Sequence, residues 1–343
     1  MTQPSAARAG GGPALYPLSF APIFQYRPWG GRRLADWLGT ALPGEEPVGE
    51  AWMLSDRDDM PSRVSHGPLK GRTLSRLIGD DPDGLLGVLA RRSPRFPLLI
   101  KCLDVAGLLS VQVHPPDSRA DLIPAGETGK TEAWFVLEAD PGSRIYAGVR
   151  PGTTGADLRS LSTATVDARL DGFRPVAGQT VQIDAGVVHA IGEGLLVLEV
   201  QENSDVTFRV FDWDRIDPAT GRPRRLHIEQ ALACVDLGHG PVRPLPPPAP
   251  GSTPRVGERL LDCPHFRAWR HRHATPFDVG AAGEPRIIVC VEGAGGLEHD
   301  GLSWPIARGG LVLLPAAVGV SRFSPAGEVT LIEIAAGTAA APA

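Results

Sequence analysis

The chain of 343 residues is poor in lysine. Lys70, Lys101 and Lys130 are the only three among 34 basic residues, and all the others are arginine. Positive charge is not in excess: 39 acidic residues leave a formal net charge of −5, with no basic stripe. That balance points away from nucleic acid as a partner. No apolar run approaches the ~20 residues that span a bilayer, and Met1–Pro13 lack the apolar centre of a secretory signal. A cytoplasmic protein without a membrane partner is therefore expected. The four cysteines, Cys102, Cys234, Cys263 and Cys290, are far apart and form no C-x-x-C pair. They read as reduced, mostly buried thiols, neither a disulfide framework nor a four-cysteine zinc site.

Turn formers are abundant. Glycine (41) and proline (34) make up about a fifth of the chain, against an average usage of ~12%. They separate short apolar or β-branched runs, among them Leu109–His114, Ala133–Glu138, Arg144–Val149, Thr180–Ile183, Leu195–Glu202 and Thr207–Phe211. This pattern predicts a mainly β protein of two jelly-roll-like β-barrel domains with short helical insertions. Residues 1–14 read as a disordered N-terminus. Residues 15–240 are expected to be a metal-binding domain, with helical segments at about 69–92, 151–172 and 226–236. The proline-rich stretch 241–254 reads as a linker. Residues 255–335 are expected to be a second β-barrel without metal, and 336–343 a tail.

Three segments carry candidate chemistry. In Ser110-Val-Gln-Val-His114, strand alternation puts Ser110, Gln112 and His114 on one face and the two valines on the other. In Gly129-Lys-Thr-Glu132, Lys130 and Glu132 share a face by the same rule. In Asp184-Ala-Gly-Val-Val-His189, a histidine follows a glycine turn. Two imidazoles, a carboxylate and an amide oxygen suit a borderline divalent cation. Ligand type alone leaves zinc and Fe²⁺ both open. His271-Arg-His273 is a second histidine pair, but no partner histidine follows it at Leu313–Phe323, so it reads as structural or exposed.

SVQVHPPD, GKTEAWFVLEA, VVHAIGEGLLVLEVQENSDVTFRVFDWDR and RRLHIEQAL, in that order, resemble type I mannose-6-phosphate isomerases, which are zinc cupins. The likeness spans about Tyr16–Val235 and is nearest the short, bacillus-like branch. It implies cupin barrels, one Zn²⁺ per chain bound by Gln112, His114, Glu132 and His189, and a catalytic Arg209. Trp29 of PWGG and Glu50 of GEAWMLS match pocket segments, and Glu199 matches a pocket carboxylate. Lys101 and Ser110 match positions at the phosphate end. Two positions depart from the family pattern: Asp184 stands for the usual proline of the cupin turn, and Pro116 for a common aspartate.

The implied activity interconverts mannose 6-phosphate and fructose 6-phosphate through an enediol. That reaction needs a base at carbon, a proton relay between two oxygens and positive charge on the developing oxyanion. Glu199 is expected as the carbon base and Lys130 as the relay. Lys130 is also the alternative base, since neighbouring cations should lower its pKa. Arg209 supplies a permanent planar cation. The alternatives are an isomerase of a related or unphosphorylated sugar and a non-catalytic sugar-binding cupin. A small-molecule sugar phosphate is the expected partner, and a monomer or weak homodimer the expected state.

Overall fold

The computed structural model describes residues 14–218, 220–249 and 251–337. Residues 1–13 and 338–343, which hold most of the expected tails, lie outside the described residues. The chain is mainly β with short helices. Among the described residues every sheet has a linear strand order, so none closes into a barrel. No helix there is long and apolar enough to cross a membrane. The cysteines are free thiols, with Cys102, Cys234 and Cys290 buried.

The chain forms two compact units. One comprises residues 24–52 and 98–250. Its first sheet runs in the order Ile23–Gly31, Val48–Leu54, Leu98–Val105, Leu195–Glu202, Glu132–Ala139, Thr180–Ile183. Its second runs Phe208–Phe211, Val111–Val113, His189–Ile191, Ile145–Val149, Leu170–Phe173. A core cluster draws Leu103, Trp134, Val181 and Val197 from the first sheet and Ile145, Ala147 and Ile191 from the second, so the two sheets face one another. A second cluster packs Val111, Val113, Phe208 and Phe211 against Leu158, Val166, Ala231 and Cys234 of three short helices. These helices, Gly155–Arg159, Val166–Arg169 and Ile228–Cys234, cover the outer face of the second sheet. Burying Val111 and Val113 there is worth roughly 1.5–3 kcal/mol each. It also turns Gln112 to the inner face.

Two glycines have steric reasons. A Cβ on Gly30 would lie 2.3 Å from the Gly49 nitrogen, so the PWGG and VGEAW strands approach only because both carry glycine there. Gly186 has φ +91, a left-handed conformation open to glycine. Its N–H donates to the His114 carbonyl at 2.8 Å, tying the turn before His189 to the other histidine.

The second unit comprises residues 14–23, 53–97 and 251–337 of the described chain. One sheet is ordered Leu18–Ser19, Leu311–Leu314, Arg286–Glu292, Val329–Ala336, Phe266–His273, Glu258–Asp262. The other is ordered Phe277–Val279, Ser321–Pro325, Ala294–His299, Leu302–Ala307. Ile288, Cys290, Leu297, Phe323 and Leu331 fill its core.

The expected domain limits need correction. Residues 53–97, with the helices Leu74–Asp80 and Pro82–Leu86, belong with the C-terminal strands and not with the 98–240 segment. Backbone bonds show why: Ala316 and Ala317 donate to the Leu85 and Gly84 carbonyls at 3.1 and 2.8 Å. The proline-rich stretch is not free throughout either. Val242 donates to the Ala147 carbonyl at 3.0 Å, and Leu245 bridges to Thr180. His271 is buried, stacked on Phe277 (centroids 5.5 Å apart), with Nε2 2.9 Å from Glu333 Oε2.

Candidate metal centre and cavity

His114, Glu132 and His189 come together between the two facing sheets, each buried, with one ligand atom apiece inside a 4.8 Å circle. Glu132 opens its strand, and its two oxygens reach one histidine each. Oε2 is 3.3 Å from His114 Nε2, and Oε1 is 3.3 Å from His189 Nε2. Each histidine donates its other ring nitrogen to a carbonyl: His114 Nδ1 to Val206 (2.8 Å) and His189 Nδ1 to Val187 (2.9 Å). Those bonds fix the tautomer and leave both Nε2 lone pairs pointing inward. Burial, and then the Lys130 charge, push the His114 pKa down to about 3. Burial also lowers that of His189, so both rings stay neutral. Burial alone would raise the Glu132 carboxyl, but the Lys130 ammonium beside it holds it well below the usual range.

Gln112 sits opposite His189 in the strand register. Its amide nitrogen donates to His189 Nε2 at 3.2 Å, and its Oε1 accepts from the Ser110 hydroxyl at 3.2 Å. A half-turn of the amide would present oxygen to the same point. The donor set fits a divalent cation: two neutral imidazoles, a carboxylate and an amide. Glu132 Oε1 supports that fit, being buried with no hydrogen-bond donor. Lys130 Nζ currently faces these atoms, 2.6 Å from Glu132 Oε2 and 3.3 Å from His114 Nε2.

A cavity of about 490 Å³ adjoins this cluster, with Gln112 and Lys130 in its wall. Trp29, Glu50, Lys101, Ser110, Glu199 and Arg209 all line it, so the remaining expected site residues share one space. Glu199 is buried, and Trp134 Nε1 donates to its Oε1 at 3.2 Å. Burial raises its pKa to about 7, with Lys130 and Lys101 working against the shift. Glu50 moves the other way. Burial would raise its carboxyl, but Lys101 and Arg27 bring it to about 2. Lys101 stands in the cavity wall among carboxylates. Its Nζ lies 3.7, 3.6 and 3.5 Å from carboxylate oxygens of Glu50, Glu199 and Asp205. Together they raise its pKa against the effect of burial.

Residues 18–132 match the family model for the catalytic domain of phosphomannose isomerase type I. The mannose-6-phosphate isomerase ManA of Bacillus subtilis is 33% identical over 303 residues, covering 88% of this chain and 94% of that protein. The chain belongs to the type I phosphomannose isomerases. A mannose-6-phosphate isomerase of Streptococcus mutans is 39% identical over 210 residues, 61% of this chain and 65% of that one. The crystal structure of the mannose 6-phosphate isomerase from Bacillus subtilis superposes with a TM-score of 0.81 at 28% identity, covering 93% of this chain and 99% of that one.

In this phosphomannose isomerase family member, several cavity residues escape a reading of the sequence. Tyr26 and Arg27 lie on a nine-residue strand, Ile23–Gly31, that Pro28 disguises as a loop. Arg27 and Trp29 stand at alternate positions, a signal visible once the strand is assigned. Asp205, Thr207 and Arg224 also line the cavity. Arg224 follows a two-stranded ribbon, Ile216–Asp217 with Arg222–Pro223, and no periodicity points to it.

Proposed function

We propose that the chain interconverts mannose 6-phosphate and fructose 6-phosphate through an enediol, using one Zn²⁺ held by His114, Glu132, His189 and Gln112. The observation that carries this is the meeting of two neutral, tautomer-fixed histidines and Glu132 at the wall of a cavity holding Glu199 and Arg209. The names of the relatives support the substrate. A cupin-type jelly roll for the 24–52 and 98–250 unit is the matching fold reading, supported by its two facing antiparallel sheets. The expected cytoplasmic location belongs to the same reading.

The bound metal would supply polarisation of substrate oxygens. The chain's own side chains do the remainder. Glu199, with a carboxyl poised near neutrality, takes the proton from one carbon and returns it to the neighbour. Lys130 carries the proton between the two substrate oxygens. Arg209, whose Nε is buried without a partner, meets the negative charge that develops on oxygen. Trp29 and Ser110 shape and hydrogen-bond the open-chain sugar. Metal analysis paired with a coupled isomerisation assay, before and after chelation, tests the reading. Stoichiometric zinc with chelator-sensitive turnover is expected, and full activity in metal-free protein would overturn it.

A further inference from the structure

The cavity wall carries Arg27, Lys101, Lys130, Arg209 and Arg224, and the first three are engaged by carboxylates. Arg27 forms a two-bond pair with Glu50 at 2.8 and 3.0 Å. Lys101 lies among three carboxylates and Lys130 against Glu132. A phosphate dianion brought to Lys101 would meet Glu50, Glu199 and Asp205 as like charges.

The balance reverses around Arg209. Arg224 holds Asp212 through Nε at 2.8 Å and Nη2 at 2.5 Å, which leaves its Nη1 without a partner among the described residues. Arg215 shares the same carboxylate at 2.6 Å. Arg209 makes no bond to Asp212. Burial and then the Arg224 charge lower its pKa, and Asp212 and Asp205 only partly offset them. Two guanidiniums thus share Asp212, and Arg209 stands beside them in the cavity wall without a bond to it. The loop that holds it is fixed. Trp213 and Asp214 adopt left-handed backbone (φ 57 and 54), a conformation kept only where surroundings impose it. Trp213 Nε1 donates to the Leu109 carbonyl at 2.6 Å, and Arg215 Nη1 to that of Leu108 at 2.7 Å.

We propose that Arg224, pinned by Asp212 and set beside Arg209 in the cavity wall, is the residue that binds the phosphate of the substrate, in place of Lys101. Resting on the sugar-phosphate reading above, it assigns one end of that substrate. Planar guanidinium donors match phosphate oxygens, and the unmet positive charge here suits a dianion.

Calorimetric titration of the metal-loaded protein with inorganic phosphate tests this alongside steady-state kinetics on mannose 6-phosphate. Arg224→Ala should raise both the phosphate Kd and the KM about 10- to 100-fold, with kcat little changed. Arg224→Gln, which can still bond Asp212, should show the same loss if the alanine variant folds poorly. Arg243→Ala removes one positive charge from the exposed surface of the same unit and should leave phosphate binding unchanged. An unchanged phosphate Kd in both Arg224 variants would overturn the proposal. So would an equal loss in Arg243→Ala, or a larger loss in Lys101→Met. A wild-type protein that binds phosphate through Arg224 yet isomerises neither sugar phosphate would remove the proposed function and leave the anion site standing.

Discussion

Gln112 and His189 face each other across paired strands, with the Gln112 amide nitrogen 3.2 Å from His189 Nε2. The contact divides the four expected ligands by what each can lose. His189 owes its orientation to its own bond with Val187, while Gln112 is held by Ser110 and by His189 itself. His189→Ala and Glu132→Ala should therefore abolish stoichiometric zinc. Gln112→Ala should keep zinc but bind it about 10- to 100-fold more weakly, as expected for a supporting ligand. Metal content after dialysis against a graded chelator measures both. Equal retention in all three variants would place the metal elsewhere.

Arg209 has a backbone job separable from its side chain. Its N–H donates to His227 Nδ1 at 3.2 Å and its carbonyl accepts from the His227 N–H at 2.8 Å. Both bonds survive truncation. Arg209→Ala should melt close to the parent yet lose about 100- to 1,000-fold in kcat, the usual cost of removing an oxyanion partner. Retained turnover would make the guanidinium structural.

The metal cluster was legible because strand alternation is local. Val-x-Val buried outward puts Gln112 inward whatever the rest of the chain does. Thr180–Ile183 and Leu195–Glu202 have the limits expected from the sequence for the same reason. Three features depended on distant partners and were not legible. The helices at 74–86 fall within the expected 69–92 segment, but which unit they join rests on the carbonyl bonds made by Ala316 and Ala317, more than 200 residues away in sequence. The long strand through Pro28 hides behind a residue that cannot donate to a ladder. The pairing of Asp212 with Arg224 and Arg215, and not with Arg209, was a choice among neighbouring charges that composition leaves open.

Glu199 makes the pH profile specific. Its carboxyl is raised to about 7, so it is protonated and unable to accept a proton on the acid side of that value. kcat/KM should rise as pH increases through about 7 and then level. Glu199→Gln should remove that limb and lower turnover by about 100- to 10,000-fold. Stability runs the opposite way. A raised carboxyl pKa favours the protonated fold, so this contribution is full below the ordinary carboxyl range and is lost as pH rises through about 7. The Gln variant should therefore gain stability relative to the parent on going from pH 5 to pH 8, measured by thermal melting. An acid limb that persists in Glu199→Gln would assign the base elsewhere.

Lysine scarcity supplies the last test. Codon preference accounts for few lysines, but not for Lys101 and Lys130 both lining one cavity while Lys70 lies outside it. At position 130 the ammonium is buried, 2.6 Å from Glu132 Oε2 and 3.3 Å from His114 Nε2. A compact cation with three rotatable donors fits between two ligand atoms. A planar guanidinium in that corner would press on His114 or displace Glu132, and it has no proton to relay near neutral pH. Lys130→Arg should keep the charge yet lose about 100-fold in turnover, the scale of a small misplacement at a reacting centre. It should also bind zinc more weakly than the parent, because the larger head crowds the ligands. Near-normal turnover with normal zinc would show that any cation serves at 130, and the surviving lysines would then be an accident of codon use.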